Sequence, residues 1–166
     1  MGNIWRLKGD FVQSLEYLEK DSLMCTELGD KQGLSIAHEL IGRLLLTQGF
    51  AEKALAEFEK SLVLCRQLKY RKGIAKALLG IGESNIMLNQ YDLALASFHQ
   101  ASDEADAINN QLIKGYTLLA KGMLFKKFGR SELIENLLKL LNPIADKLGN
   151  EPLKKLRDDF VEQKRS

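Results

Sequence analysis

The sequence predicts an all-α protein, a solenoid of antiparallel helix pairs with about four pairs in the chain. Three observations support this fold class. Apolar residues recur at three- and four-residue spacing, and strand-like alternation is nowhere sustained. Glycine recurs at a constant interval of 40 residues. The breaks between apolar segments are short polar turns. Because neither helix of a pair can bury its apolar face alone, stacked pairs form one continuous core.

The constant interval is visible in several columns of equivalent positions. The first glycine column comprises Gly2, Gly42, Gly82 and Gly122. A second column, in which asparagine replaces one glycine, comprises Gly9, Gly49, Asn89 and Gly129. Large apolar residues share the column Leu18, Phe58, Phe98 and Leu138. A glycine inside a helix costs about 1 kcal/mol relative to alanine. We therefore expect the first column to mark where the first helix of each pair is crossed closely by its partner helix.

The turns divide the chain into helices of similar length. In order, we predict a partial helix at 2–8 and helices at 11–28, 31–47, 51–68, 71–87, 91–108, 111–127, 131–148 and 152–163. Glycine-containing turns join the helices within a unit, and polar turns join successive units. Pro152 fits the first turn of the last helix. Pro143 lies inside the preceding helix and is expected to kink or split it near Asn142, which could widen a local groove.

The chain forms a single domain, 1–166, in this interpretation. Its repeat units span about 1–29, 30–69, 70–109 and 110–149, followed by a C-terminal capping helix at 150–166. Leu153 and Phe160 give that helix an apolar face for the fourth unit. The first unit begins midway through a helix, so we expect a segment of a longer repeat array or a regulatory domain of a larger protein.

The repeated unit resembles the tetratricopeptide repeat in its long, 40-residue form. The segments LLGIG and QYDLALASFHQA, between 78 and 101, carry the resemblance most clearly. The fourth unit departs from the pattern at Ile134 and Glu135. The sequence of residues 27–42 is similar to the bacterial form of this repeat, which is found in regulatory and signalling proteins. The resemblance implies a right-handed superhelix whose concave groove binds a peptide or a helix.

No constellation of residues indicates catalysis, a metal site or a cofactor. His38 is expected to be packed or partly buried and His99 exposed, and the two form no ligand pair at helical spacing. Cys25 and Cys65 hold equivalent positions in adjacent units, too far apart for a disulfide, and are expected to be small buried residues. Trp5 is expected to lie in the core. We therefore predict that the protein is not an enzyme.

The resemblance places a binding groove along the first helix of each pair. The candidate groove residues are Asn3, Arg6, Glu39, Arg43, Lys76, Leu79, Glu83, Tyr116, Leu119, Met123 and Lys127. Glu39 and Arg43 are spaced i, i+4 and could simply pair with each other. Related domains hold chaperone C-terminal tails by lysine and asparagine at positions that correspond here to Glu39 and Arg43, Leu79 and Glu83, and Leu119 and Met123. None of these is lysine or asparagine, so that ligand is not expected.

These features predict a protein-interaction module, a scaffold that binds another protein or peptide in the cytoplasm. The alternative is a sensory or regulatory domain that controls an attached signalling or DNA-binding effector. Self-association through the incomplete first unit is a further expectation. Binding to nucleic acid or to a membrane is not expected, because the net charge is only +2 and no apolar run is long enough to span a bilayer.

Overall fold

The computed structural model describes residues 11–165, and within that range it contains eight α-helices and no strand. The helices are α1 (Phe11–Glu27), α2 (Lys31–Thr47), α3 (Ala51–Gln67), α4 (Arg71–Met87), α5 (Tyr91–Ala107), α6 (Gln111–Lys127), α7 (Ser131–Leu148) and α8 (Glu151–Arg165). The boundaries agree closely with the predicted ones, and none differs by more than two residues. The predicted partial helix at 2–8 and Trp5 lie outside the described residues.

Every turn between helices contains one residue in the left-handed conformation. These residues are Gly29, Gly49, Lys69, Asn89, Asn109, Gly129 and Gly149, with φ between 54° and 84°. In the first six turns the next backbone N–H reaches back over the helix end, as Phe50 N does to Leu45 O at 3.0 Å. This is the Schellman closure, which satisfies carbonyl groups at the helix end. Helix length is therefore set locally, by a turn that recurs every 20 residues along the chain.

Side-chain N-caps occur at three of the turns that join successive units. The Asp30 carboxylate accepts from Gly33 N at 2.9 Å, Asn110 Oδ1 accepts from Ile113 N at 3.1 Å, and Asn150 Oδ1 accepts from Leu153 N at 2.9 Å. Each cap satisfies an N–H group that the first helical turn leaves without a partner. At the equivalent position of the third unit, Tyr70 makes no such hydrogen bond.

Consecutive helices pack against one another along the described chain. The first helices of neighbouring pairs are also in contact, α2 with α4, α4 with α6 and α6 with α8. The larger core cluster runs from Leu18 in α1 to Leu124 in α6. A smaller one joins α6, α7 and α8 around Leu141 and Leu153. The molecule is thus a helical repeat whose alternate helices share one side.

The glycine column accommodates aromatic rings. A Cβ added at Gly42 would lie 3.0 Å from the ring of Phe58 in α3, and one at Gly82 would overlap the ring of Phe98 in α5. Both rings are fully buried. Gly80 in α4 also faces Phe58, so that ring fits between glycines of two successive units. The expectation that these glycines mark close approach of the partner helix is confirmed in the second and third units.

The fourth unit differs from this arrangement. Gly122 faces the ring of Phe160 in α8, at 3.0 Å from an added Cβ, and not a side chain of its partner helix α7. The physical reason is that α7 carries Leu138 where the preceding units carry phenylalanine, so the aromatic ring comes from the next helix. The expectation that Pro143 could split α7 is wrong, because Ser131–Leu148 forms one helix with Pro143 inside it.

Candidate functional site

The predicted groove residues lie on the first helices of the pairs. Glu39 and Arg43 belong to α2, Lys76, Leu79 and Glu83 to α4, and Tyr116, Leu119, Met123 and Lys127 to α6. Asn3 and Arg6 lie outside the described residues. Because α2 contacts α4 and α4 contacts α6, the side chains of these three helices form one surface.

Four of these residues form an ion-pair network between α2 and α4. Arg43 Nη1 donates to Glu83 Oε2 at 2.8 Å, and Arg43 Nη2 lies 3.5 Å from Glu39 Oε1. Lys76 Nζ lies 3.3 Å from Glu39 Oε2. The pairing of Glu39 with Arg43 expected from their spacing is present, but the shorter contact of Arg43 crosses to the next unit. We refer to Glu39, Arg43, Lys76 and Glu83 as the α2–α4 ion-pair network.

Burial governs the electrostatics of this network. Glu39 is only 7% exposed and is balanced by two cations. Burial raises the pKa of Glu83, and the negative charge of Glu39 adds to that rise, while Arg43 opposes it. The Arg43 guanidinium also lies 5.7 Å from the centre of the Phe58 ring, within cation–π range. Two carboxylates of the network, Glu39 and Glu83, and the Phe58 ring therefore hold Arg43 in place.

An apolar depression adjoins the network. Its volume is about 240 Å³, and its walls are Leu46, Glu83, Ile86, Met87, Tyr116, Leu119, Ala120 and Met123. We call it the methionine pocket, because Met87 and Met123 are its most exposed apolar walls, at 47% and 49%. Among the described residues, Glu83 is its one charged wall. Methionine side chains are flexible and polarizable, so such a surface adapts to apolar groups of different shape.

The remaining predicted residues are placed differently. Leu79 is buried and belongs to the core. Lys127 lies beyond the pocket, where Nζ is 4.7 Å from the centre of the Tyr91 ring and 3.3 Å from Asn89 Oδ1. The structure therefore brings Glu83, Tyr116, Leu119 and Met123 together in the pocket and leaves Lys127 outside its walls.

Sequence reasoning missed the walls formed by Leu46, Ile86, Met87 and Ala120. Leu46 and Ile86 hold equivalent positions in the second and third units, one helical turn beyond Arg43 and Glu83. That spacing was a usable signal, since residues three or four apart on a helix share a face. The same spacing applies to Met87, four residues beyond Glu83, and to Ala120, four residues beyond Tyr116.

His38 and the two cysteines lie outside the predicted groove. His38 is half-buried and its Nδ1 donates to Glu57 Oε2 at 2.6 Å, a hydrogen bond that lowers the pKa of Glu57. Cys65 is buried and Cys25 half-buried, and both are free thiols. Burial and two nearby aspartates raise the pKa of Cys25, which disfavours the reactive thiolate. Among the described residues, no group of three or more His, Cys, Asp or Glu side chains is arranged to hold a metal ion.

Larger depressions exist away from the predicted groove. One of about 560 Å³ lies beside Pro143 and Ile144 at the end of α7, where the sequence predicts a wider local groove. Two others, of about 350 Å³ and 530 Å³, lie next to the exposed aromatic residues Phe50 and Phe128. Of the predicted groove residues within 11–165, none is a wall of these three depressions. No helix of residues 11–165 is both long enough and apolar enough to cross a bilayer.

Comparison of the chain with protein-family models and with curated proteins finds no match to either.

Proposed function

We propose that this chain is a non-catalytic protein-interaction module of the tetratricopeptide type, a right-handed superhelical solenoid that binds a peptide or helix along α2, α4 and α6. The observation that carries the proposal is the methionine pocket, a depression of about 240 Å³ formed jointly by α2, α4 and α6. Exposed apolar side chains in a concave surface are the usual anchor site for a partner's side chain. A cytoplasmic location belongs to the proposal and fits two cysteines kept as free thiols.

The repeat architecture supports this function over catalysis. Alternate helices share one side of the molecule, so each added pair extends the same surface. The ion-pair network rigidifies that surface before any partner arrives, which reduces the entropy cost of binding. Outside this surface, the Cys25 thiol has a raised pKa and His38 is paired with Glu57, as expected for residues that stabilise a fold.

Peptide display against the protein tests the proposal. Random peptides selected on the wild-type chain are synthesised, and their affinities are measured by fluorescence anisotropy. Met123→Glu places a charge on the pocket wall, where desolvation penalises it, so affinity should fall by about tenfold or more. Val63→Glu is the matched control, because Val63 is 54% exposed on α3, outside the pocket. Selected peptides that bind both variants as tightly as wild type would contradict the proposal.

A further inference from the structure

The polarity of the α2–α4–α6 surface changes from one unit to the next. Three columns of equivalent positions follow α2, α4 and α6, namely Ile36–Lys76–Tyr116, Arg43–Glu83–Met123 and, buried beneath them, Glu39–Leu79–Leu119. The last two columns begin with charged residues on α2 and end with apolar residues on α6. A ligand that follows this surface therefore meets charges at one end and the methionine pocket at the other.

Glu83 stands at the boundary between these two regions. Its Oε2 accepts from Arg43, and it also forms a wall of the methionine pocket. The same Arg43 guanidinium serves Glu39, and Lys76 contacts Glu39, so Glu83 shares its single close cation with another carboxylate. Burial and Glu39 together raise the pKa of Glu83 despite Arg43. Among the described residues, Arg43 is thus the one cation paired with the Glu83 carboxylate, and Arg43 also pairs with Glu39.

A basic side chain from a partner would supply a second cation. Bringing it to Glu83 forms a charge-assisted hydrogen bond where water is already partly excluded, which strengthens the attraction. An acidic side chain at the same place would be repelled by the Glu83 carboxylate. The nearest cation, Arg43, is already paired with Glu83 and Glu39. Charge complementarity at the pocket edge thus favours a cationic ligand.

We propose that the methionine pocket receives a basic amphipathic helix of another protein, with one large aliphatic or aromatic side chain in the pocket and a lysine or arginine on Glu83. This inference rests on the proposed function and adds the chemistry of the partner. Residues three or four apart on a helix lie about 5–6 Å apart on one face, so an apolar anchor and a cation one turn away suit a pocket with an adjacent carboxylate. Flexible methionine walls are typical of grooves that accept such helices.

The test uses two synthetic helical peptides with the same leucine positions and either lysine or glutamate on the polar face. Fluorescence anisotropy on the wild-type chain should show the lysine peptide binding at least about tenfold more tightly than the glutamate peptide. Replacing its leucines by alanine should abolish binding. Glu83→Gln should weaken the lysine peptide several-fold and leave the glutamate peptide unchanged or improved. Glu59→Gln, the same change at an exposed position of α3, is the matched control.

Each outcome separates the partner chemistry from the proposed function. Tighter or equal binding of the glutamate peptide, no binding of the lysine peptide, or insensitivity to Glu83→Gln overturns the basic-helix proposal. If Met123→Glu still abolishes binding of the glutamate peptide or of display-selected peptides, the proposed function stands although the basic-helix proposal fails. If no peptide depends on Met123, the proposed function fails as well. Unchanged melting temperatures of the variants show that the fold is intact.

Discussion

Arg43 and Glu83 hold the same position in consecutive units, and the guanidinium of one donates to the carboxylate of the other at 2.8 Å. Their side chains are 27% and 30% exposed, so the pair is partly shielded from water. A contact between equivalent residues ties α2 to α4 on the surface where we propose that the partner binds. The contact also affects the protonation of Glu83, because Arg43 opposes the rise in its pKa.

Arg43→Met should destabilise the fold by about 1 kcal/mol at neutral pH, between the values typical of exposed and buried pairs. The change leaves Glu83 without its cation, so the pKa of Glu83 rises further above its ordinary value. When folding raises the pKa of a carboxyl, the folded protein becomes less stable as pH increases from the unfolded-state pKa to the folded-state pKa. The loss should therefore be larger at pH 7.5 than at pH 4.5.

Chemical denaturation of wild type, Arg43→Met and the double variant Arg43→Met/Glu83→Gln at both pH values measures this effect. The double variant should recover part of the loss at pH 7.5, because it removes the uncompensated carboxylate. A loss of equal size at both pH values would show that Arg43 acts through packing on Phe58 alone.

Lys121 occupies a position that the two preceding units fill with isoleucine. Ile41, Ile81 and Lys121 are 6%, 8% and 7% exposed, and among the described residues no carboxylate forms an ion pair with Lys121. Burial lowers its pKa, although Asp103 and Asp106 oppose that shift. A lysine with a lowered folded-state pKa destabilises the fold below that pKa. This penalty disappears as pH rises towards the unfolded value of about 10.4.

Lys121→Ile should therefore stabilise the protein at pH 7, by about 1–2 kcal/mol, and the gain should shrink as pH approaches 10. Urea denaturation across that pH range provides the measurement. Lys121→Met, which keeps the length of the side chain, is the control for packing. A gain that does not vary with pH would indicate that shape, and not charge, limits stability here.

Lys69 is the one turn residue with a long side chain in the left-handed conformation among the seven described turns, with φ 54°. L-residues other than glycine pay about 1–2 kcal/mol in this region. Glycine avoids that cost, although the greater freedom of its unfolded chain offsets part of the gain. Lys69→Gly should raise the free energy of unfolding by about 0.5–1 kcal/mol, which corresponds to a few degrees in melting temperature.

The reciprocal change supplies the control. A Cβ added at Gly49 meets no atom within 4 Å, so Gly49→Lys tests the backbone conformation alone. It should lower the melting temperature by a similar amount. If both substitutions leave the melting temperature unchanged, the turn relaxes without cost and the argument from φ fails.

The two glycines that face phenylalanine rings within their own units should respond unequally to alanine. At Gly82 the added Cβ overlaps the Phe98 ring, and overpacking of this kind costs about 1–3 kcal/mol. At Gly42 the nearest ring atom is 3.0 Å away, so a small ring shift suffices. The higher helix propensity of alanine, about 1 kcal/mol, should offset that cost.

Thermal unfolding followed by circular dichroism distinguishes the two variants. Gly82→Ala should melt several degrees lower than wild type, whereas Gly42→Ala should melt close to it. Gly42→Leu, with a side chain too large for any small shift, should melt well below both. Equal melting temperatures for Gly42→Ala and Gly82→Ala would contradict the spacing of these helices.

The helices could be predicted from sequence because their limits are encoded locally. Glycine or asparagine at most left-handed positions, recurring at an even interval, places the turns without knowledge of the tertiary structure. The surface of α2, α4 and α6 followed from the resemblance, whereas the exact walls of the pocket did not. The spacing of Met87 from Glu83 places it on the same face of α4, but which side chains of that face form walls depends on how α4 packs on α6.

Two other features depend on contacts distant in sequence. The Gly122–Phe160 contact joins α6 to α8, and no local pattern specifies that α8 supplies the ring in place of α7. The crossing of Arg43 to Glu83 depends on the height of α4 relative to α2, whereas the spacing of Glu39 and Arg43 alone predicted only the weaker contact. By contrast, Lys121 stood out in an isoleucine column and could have been found from the sequence.

The ring of Phe58 belongs to the second unit by sequence, yet it is enclosed by Gly42 of that unit and by Gly80 of the next. Neither unit can open without exposing this side chain, whose burial contributes about 1.5–3 kcal/mol. Amide hydrogens in α2, α3 and α4 should consequently exchange with solvent in one concerted event, and not helix pair by helix pair. We therefore expect the centre of the molecule to lose its structure in a unit larger than one sequence repeat.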